Sequence, residues 1–154
     1  MNKLLTEDFV RDTIAKYLNE NGWSKNMVSK SLKEHGVDIK VRNDKVSRYW
    51  LIEAKGDASE TAKYPRSHRE VHFNLALGQI ITRMKTGGTR AYKYRYKYGV
   101  GYPESFRDLV VRRVPYDVCD KLNLYIFLVN EDGIVEVLGW KELKKLQTKD
   151  KVVS

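Results

Sequence analysis

The sequence has few cysteines and prolines, no long apolar run, and fewer acidic than basic residues. Its one cysteine, Cys119, excludes an internal disulfide and a thiolate metal cluster, which suits a reducing compartment. No stretch approaches the roughly 18 apolar residues that a membrane span needs. The first residues turn acidic at Glu7 and Asp8 before a signal peptide can form. These absences predict a cytoplasmic protein with no membrane association.

The sequence does contain a moderate fraction of apolar residues and a large excess of positive charge. The 154 residues are 42% hydrophobic, which is enough for one core, so we expect a single domain over 1–154. With 29 Lys and Arg against 20 Asp and Glu, the formal charge is +9. Such a charge favours a polyanionic partner, DNA above all, although a merely basic soluble protein is the alternative and RNA stays open.

Hydrophobic periodicity and turn residues predict alternating helices and strands. In chain order these are a helix over 7–21 capped by Thr6, a weak strand over 23–32, a strand over 36–42, a strand over 49–56, a polar loop over 57–69, a buried helix over 70–85, a strand over 92–98, a short helix over 104–114, a strand over 122–129, its hairpin partner over 134–138, and a basic helix over 140–147. This order predicts an α/β fold with a mixed central β-sheet flanked by helices.

Three charged residues on the first two firm strands form the main candidate for chemistry. Glu53 and Lys55 are two positions apart in a dense apolar strand, so their side chains leave the same face of the sheet. Asp38 lies on the preceding strand of a hairpin that turns near 43–47, where it can face Glu53 across the ladder. Two carboxylates and an ammonium would then converge.

Oxygen ligands of this kind select Mg²⁺ or Mn²⁺ over zinc. A metal held by Asp38 and Glu53 would neutralise a phosphate oxygen and activate a water, while Lys55 orients that water or stabilises developing charge. These residues favour phosphodiester hydrolysis. The alternative is a surface ion-pair network, but charges that end a buried apolar strand need a reason.

The residues from Gly36 to Ile39 and from Trp50 to Gly56 together resemble the catalytic core of the PD-(D/E)xK, or restriction-endonuclease-like, superfamily. The resemblance extends over about 6–98 and implies an αβββαβ core, here followed by a C-terminal β-hairpin. Val37 stands where the motif has proline, a frequent variation. Residues after about 100 match no branch of the superfamily, which leaves the biological role open.

The resemblance also implies roles for residues around the three charged ones. The Ala54 carbonyl would add a metal ligand beside Asp38 and Glu53. Glu7 is the candidate for the acidic residue that many members carry in the first helix, with Asp8 as its rival. Gln79 resembles the glutamine on the helix after the motif, which supports the site in several branches, although an ordinary polar helix residue is nearly as good an interpretation.

A basic and aromatic segment follows the motif. Between Glu70 and Glu104 there is no acidic residue, and six basic residues accumulate that we predict to bind nucleic acid. These are Arg83, Lys85, Arg90, Lys93, Arg95 and Lys97. A solvated strand edge guarded by basic residues is the alternative. The four tyrosines over 92–98 alternate with basic residues, which predicts a strand with an aromatic face packed on a helix, or else a platform for unpaired bases.

The leading functional hypothesis is a metal-dependent DNA endonuclease acting in defence, repair or mobile-element processing. A Holliday-junction-type resolvase is a second hypothesis, and an 18.0 kDa chain is small enough to act as a homodimer. A non-catalytic DNA-binding or interaction module with the nuclease fold is a third. No separate recognition domain is visible, so specificity would come from loops such as 57–69 or from a partner protein.

Overall fold

The computed structural model describes residues 4–28, 36–58 and 65–149, and in this part of the chain five strands form one mixed sheet. The helices are α1 Glu7–Glu20, α2 Pro65–Arg83, α3 Arg90–Tyr94, α4 Arg107–Arg113, α5 Tyr116–Leu122 and α6 Trp140–Lys149, with a 3₁₀ turn at Glu104–Phe106. The strands are β1 Ile39–Asn43, β2 Arg48–Ala54, β3 Tyr96–Pro103, β4 Leu124–Val129 and β5 Val135–Leu138.

The strands lie in sequence order from β1 to β5. The three central strands, β2, β3 and β4, run parallel, and each outer strand pairs antiparallel with its neighbour. The end of β2 and the start of β1 therefore meet at one edge of the sheet, with Ile39 opposite Ile52. This register is what brings the residue before β1 next to the last residues of β2.

Helices cover both faces of the sheet. On one face α1 buries Val10, Ile14 and Leu18 against alternate residues of β1, β2 and β4. On the other face α2, α4, α5 and α6 enclose a larger core that includes Tyr102 of β3. Helix α1 approaches β3 closely because Gly101 has no side chain, and an added Cβ there would collide with Ile14. The predicted α/β fold with a mixed sheet flanked by helices is confirmed.

Helix α1 and the two hairpins also follow the predictions. The Thr6 hydroxyl accepts a hydrogen bond from the Phe9 amide at 3.0 Å, so the capping residue is the expected one. The antiparallel pair of β1 with β2 and that of β4 with β5 confirm the predicted hairpins. The short helix after Pro103 and the terminal helix α6 are confirmed as well, with α6 ending two residues later than expected, at Lys149.

The weak strand expected over 23–32 is wrong for residues 23–28, and 29–32 lie outside the described residues. This segment still follows β1, because the amides of Ser24 and Met27 donate to β1 carbonyls. Between them the Asn26 side chain replaces the ladder, accepting from the Lys40 amide and donating to the Asp38 carbonyl. A side chain in the place of backbone pairing explains why no strand forms. Two described strands therefore precede α2, where the αβββαβ core has three.

The loop expected over 57–69 is also wrong from Pro65 onward, and 59–64 lie outside the described residues. Helix α2 begins at Pro65, and proline is well suited to the first position of a helix because its missing amide hydrogen is not needed there. The helix was expected to bury its apolar residues, yet Leu75 and Ile81 are 47% and 51% exposed. Its buried face carries Ile80, as expected, together with Phe73.

The strand expected over 92–98 is only half right. Residues up to Tyr94 form the short helix α3, which begins because the Thr89 hydroxyl accepts a hydrogen bond from the Tyr92 amide at 3.2 Å. Strand β3 starts at Tyr96, so the tyrosines do not share one strand face. Helix α5, which ends two residues before β4, was not predicted at all. None of the described helices has the length and apolar character needed to cross a membrane.

Candidate active site

Two carboxylates from neighbouring strands lie side by side where β1 begins and β2 ends. Asp38 directly precedes β1 and Glu53 is the second-last residue of β2, so the register places them opposite each other. Because Ile39 and Ile52 point into the core under α1, both acidic side chains leave the opposite face. The Asp38 carboxylate accepts a hydrogen bond from the Ala54 amide at 2.8 Å, which fixes its position.

Glu53 is a buried carboxyl group whose environment disfavours ionisation. It is 4% exposed, and burial, followed by the charge of Asp38 and a hydrogen bond with it, raises the pKa of Glu53 to about 8. The charges of Lys55 and Arg83 act in the opposite direction. Its Oε1 atom is buried and has no hydrogen-bond partner in the described part of the chain. The pair therefore holds a proton at neutral pH unless a cation takes the proton's place.

Lys55 lies beside the same pair and is held by the first turn of α1. Its Nζ atom is 3.6 Å from Glu7 Oε1, and its side chain is 16% exposed. The two segments meet closely because Gly56 has no side chain: an added Cβ would lie 2.8 Å from the Leu5 carbonyl oxygen. Reciprocal bonds of 2.8 Å, from the Leu5 amide to the Asp57 carboxylate and from the Asp57 amide to the Leu5 carbonyl, join them.

Helix α2 closes the other side of the site with polar residues of its inner face. The Gln79 Oε1 atom is buried and has no hydrogen-bond partner among the described residues. Arg83 brings its Nε atom within 4.0 Å of Glu53 Oε1, which is an electrostatic contact but too long for a hydrogen bond. Nearer the start of α2, His72 Nδ1 lies 2.9 Å from the Gly56 carbonyl oxygen.

The carboxylate oxygens of Asp38 and Glu53 are ligands that a hard divalent cation prefers, but they are few. Two carboxylates meet, and the Glu53 Oε1 atom is an orphaned buried acceptor of the kind that a cation would satisfy. Gln79 adds a second orphaned oxygen on α2. However, the described residues contain no group of three or more His, Cys, Asp or Glu side chains able to hold a metal. A metal here would need backbone, amide or water oxygens as well.

The structure brings together four of the residues singled out from the sequence: Asp38, Glu53, Lys55 and Glu7. Gln79 lies on α2 about one turn before Arg83, which contacts Glu53. Arg83, which was expected on a DNA-binding surface, joins them through its contact with Glu53. Asp8, the rival of Glu7, instead lies 3.0 Å from Arg11 on the same helix. Glu7 contacts the predicted site through Lys55.

The remaining basic residues predicted to bind nucleic acid divide into a group near the start of β3 and the separate Lys97. Lys85 and Arg90 lie over the rings of Tyr96 and Tyr94, and Arg95 is exposed just before β3. The side chain of Lys93 lies outside what the structure describes. All of these residues are near the start of β3.

Lys97 is separated from that group because it points to the α1 face of the sheet. Its ammonium lies 5.3 Å and 5.4 Å from the ring centroids of Trp50 and Tyr125. Burial, followed by the charge of Arg48, lowers the pKa of Lys97. The expectation that Lys97 shares a surface with the other basic residues is therefore wrong.

One charged residue near the site was missed by the sequence interpretation. Arg11 is only 4% exposed, and its Nη2 atom is buried without a hydrogen-bond partner. Burial alone would lower the pKa of Arg11, but the hydrogen bond and charge of Asp12, with the charges of Asp8 and Asp38, raise it. The available signal was its position four residues after Glu7, which places both on one side of α1.

Comparison with known proteins shows the fold and leaves the family open. No protein-family model matches the sequence, and no curated protein does so either. Two solved structures share the α/β architecture: an XisH family protein from Nostoc punctiforme PCC 73102 and an fdxN element excision controlling factor protein from Anabaena variabilis. Each is 15% identical to this chain over 84% of its length, with a TM-score of 0.51. The alignments cover 97% and 96% of the two neighbours.

Proposed function

We propose that the protein is a divalent-metal-dependent endonuclease that hydrolyses phosphodiester bonds in DNA. The observation that carries this proposal is the buried Glu53, which faces Asp38 and has one carboxylate oxygen without a partner among the described residues. Burying two carboxyl groups side by side at the end of an apolar strand costs free energy, so we expect a function that compensates for it. Cation binding supplies that compensation, since it neutralises both carboxylates at once.

Each residue of the site has a role in this proposal. Asp38 and Glu53 hold Mg²⁺ or Mn²⁺ together with the Ala54 carbonyl, and the Ala54 amide keeps Asp38 in place. The ion supplies positive charge for a phosphate oxygen and a water made acidic enough to react. Lys55, held by Glu7, orients that water or stabilises the charge that builds on the phosphate.

The surroundings of the site support a polyanionic substrate. Arg83 lies beside Glu53, and the segment from Glu70 to Glu104 has no acidic residue between its ends. One of the structures with the same fold is described as an fdxN element excision controlling factor. We extend that setting to this chain and propose that it acts on DNA during the excision of a mobile element.

A non-catalytic DNA-binding module is the second candidate. The absence of a group of three or more acidic, histidine or cysteine ligands among the described residues favours it. A protein that controls excision, as the neighbour's description states, need not itself cut DNA. The buried acidic pair argues the other way, because a module without chemistry has no reason to hold two carboxyl groups together.

The test is incubation of the protein with supercoiled plasmid and with a synthetic four-way junction, in Mg²⁺, in Mn²⁺ and in EDTA. We expect metal-dependent cutting that Lys55→Ala lowers by about 10² to 10⁴ fold, the usual range for a group that assists proton transfer or holds transition-state charge. Lys16→Ala is the matched control, because Lys16 is an exposed lysine on α1 whose ammonium lies 3.9 Å from Glu20. Cutting of neither substrate, with DNA binding retained, would support the non-catalytic module instead. Preference for the junction would indicate a resolvase.

A further inference from the structure

A strip of the sheet face beside the acidic pair is not buried by α2, the helix that packs next to it. In β1, Ile39 and Val41 face α1, so Lys40 and Arg42 lie on the same face as the acidic pair. Helix α2 packs on β2 and β3 and does not bury these two side chains, since Arg42 is exposed and Lys40 is only half-buried. The strip leads from the acidic pair along β1 and across the starts of β2 and β3.

Four side chains cross this strip in a single row. The rings of Tyr49 and Tyr96 stack with centroids 5.2 Å apart and an interplanar angle of 16°. The Lys40 ammonium lies 5.6 Å from the Tyr49 centroid, and the Lys85 ammonium lies 5.6 Å from the Tyr96 centroid. We call these four residues the lysine–tyrosine row; it spans β1, β2, β3 and the segment after α2.

The row is positively charged and lacks acidic partners in the described part of the chain. No salt bridge there joins Lys40 or Lys85 to a carboxylate, whereas Arg42 is paired with Asp44 at 3.3 Å. The stack accounts for the placement of the lysines, because a cation over an aromatic ring is attracted to it. Two ammonium groups are thus held at fixed positions without being neutralised.

The row is continuous with the acidic pair. Tyr49 precedes Glu53 by four residues on β2, which corresponds to about 13 Å along a strand. That span equals about four phosphate steps of stacked DNA at 3.4 Å each. Arg83 contacts Glu53 and precedes Lys85 by two residues. It therefore adds a positive charge beside the acidic pair, close in the chain to one end of the row.

We propose that the lysine–tyrosine row binds the phosphates of one DNA strand and sets the distance between that strand and the acidic pair. The row fits phosphates better than bases because the two rings stack on each other, Tyr92 of α3 packs edge-on against Tyr96, and each stacked ring has an ammonium group 5.6 Å from its centroid. It rests on the proposed function for its substrate, and it adds residues, Lys40, Tyr49 and Tyr96, that the motif does not include. The strand whose backbone the row holds is the one that enters the acidic pair.

The experiment compares two double variants of equal charge. Lys40→Gln with Lys85→Gln removes both ammonium groups of the row. Lys141→Gln with Lys144→Gln is the matched control, because these exposed lysines of α6 also lie over aromatic rings, at 5.6 Å and 5.7 Å, but on the far side of the core. Binding of a fluorescent single-stranded oligonucleotide and of a duplex is measured in EDTA by anisotropy over a range of salt concentrations.

We expect the row variant to lower the slope of log affinity against log salt by about 1.4 for the single strand and about 1.8 for the duplex, as the loss of two phosphate contacts requires. The control should keep the wild-type slope. Equal slopes in both double variants would overturn the proposal. Lys40→Arg with Lys85→Arg, which keeps both charges, should restore the slope, and this separates a charge effect from a folding defect.

The same variants distinguish this inference from the proposed function. Binding in EDTA needs no catalysis. A lower salt slope in the row variant, with no cutting by the wild type in Mg²⁺, would therefore support the row and contradict the nuclease proposal. Conversely, normal cutting and a normal slope in the row variant would contradict the row alone.

Discussion

Replacement of Glu53 by glutamine should stabilise the metal-free protein at alkaline pH. Folding raises the pKa of this carboxyl group from 4.5 to about 8, chiefly through burial and then through Asp38. The folded state therefore keeps a proton that the unfolded state releases above pH 4.5, so the free energy of unfolding falls as the pH rises towards 8 and is constant above it. At about 1.36 kcal/mol per pKa unit, the full loss is on the order of 3 to 5 kcal/mol.

The assay is thermal unfolding in EDTA between pH 4.5 and 9. For a chain of this size we expect roughly 2 to 4 °C of midpoint per kcal/mol, so the wild type should lose on the order of 10 °C across the window. The thermal midpoint of Glu53→Gln should not show this loss, and at pH 8.5 it should be higher than that of the wild type. Glu20→Gln is the matched control, because Glu20 is an exposed carboxylate of α1. A Glu53→Gln profile that follows the wild type throughout would refute the reasoning.

Four further predictions concern the site and the frame around it. Gly56→Ala should cost about 1 to 3 kcal/mol by overpacking, measured by urea unfolding, since its Cβ would meet backbone atoms of the residues before and in α1. Gly78→Ala, whose Cβ would meet nothing within 4 Å, should instead stabilise by about 0.5 to 1 kcal/mol, and a loss there would contradict the steric account. Tyr102→Phe should cost about 1 kcal/mol, because it removes a buried 2.7 Å hydrogen bond to a carbonyl of α2; an unchanged thermal midpoint would argue against that bond. Burial raises the pKa of Glu53, and the charge of Arg83 opposes that rise. Arg83→Met should therefore raise this pKa further, so that the free energy of unfolding stops falling only above pH 8. A shift to lower pH would disprove the contact.

The acidic pair was accessible from the sequence because its geometry depends on local rules. Strand alternation and a short hairpin place Asp38 opposite Glu53 without any long-range information. The position of Lys55 follows from the same alternation. What no local pattern contains is the contact of α1 with this edge, which depends on Gly56 and on the Leu5 and Asp57 bonds across 52 residues.

Each element that was wrongly predicted has its own physical cause. The alternation over 92–98 indicates a strand, but the Thr89 cap starts a helical turn first, and helix α3 is too short to show a period of 3.6 residues. Proline at the first position of α2 was interpreted as a loop residue because proline serves both roles. In residues 23–28, the Asn26 side chain competes with backbone pairing, which composition alone does not reveal.

The face of the sheet on which a charged side chain lies was the least predictable feature. Lys97 belongs to the same basic run as Lys85 and Arg95, yet its strand position turns it towards Trp50 on the other face. Arg11 is buried although its neighbours in the helix are mostly polar, because α1 lies close to the sheet near Asp38. Such contacts depend on which side of the sheet each helix covers, and that is decided by the whole fold.

The central claim is that the acidic pair is a divalent cation site, and calorimetric titration of Mn²⁺ tests it most directly. At pH 7, below the Glu53 pKa of about 8, we expect one binding event with the release of close to one proton, measured in buffers of different ionisation enthalpy. Glu53→Gln should lose the proton release and weaken binding at least tenfold, while Glu20→Gln should match the wild type. Undiminished binding by Glu53→Gln, or no binding to the wild type at millimolar Mn²⁺, would contradict the claim.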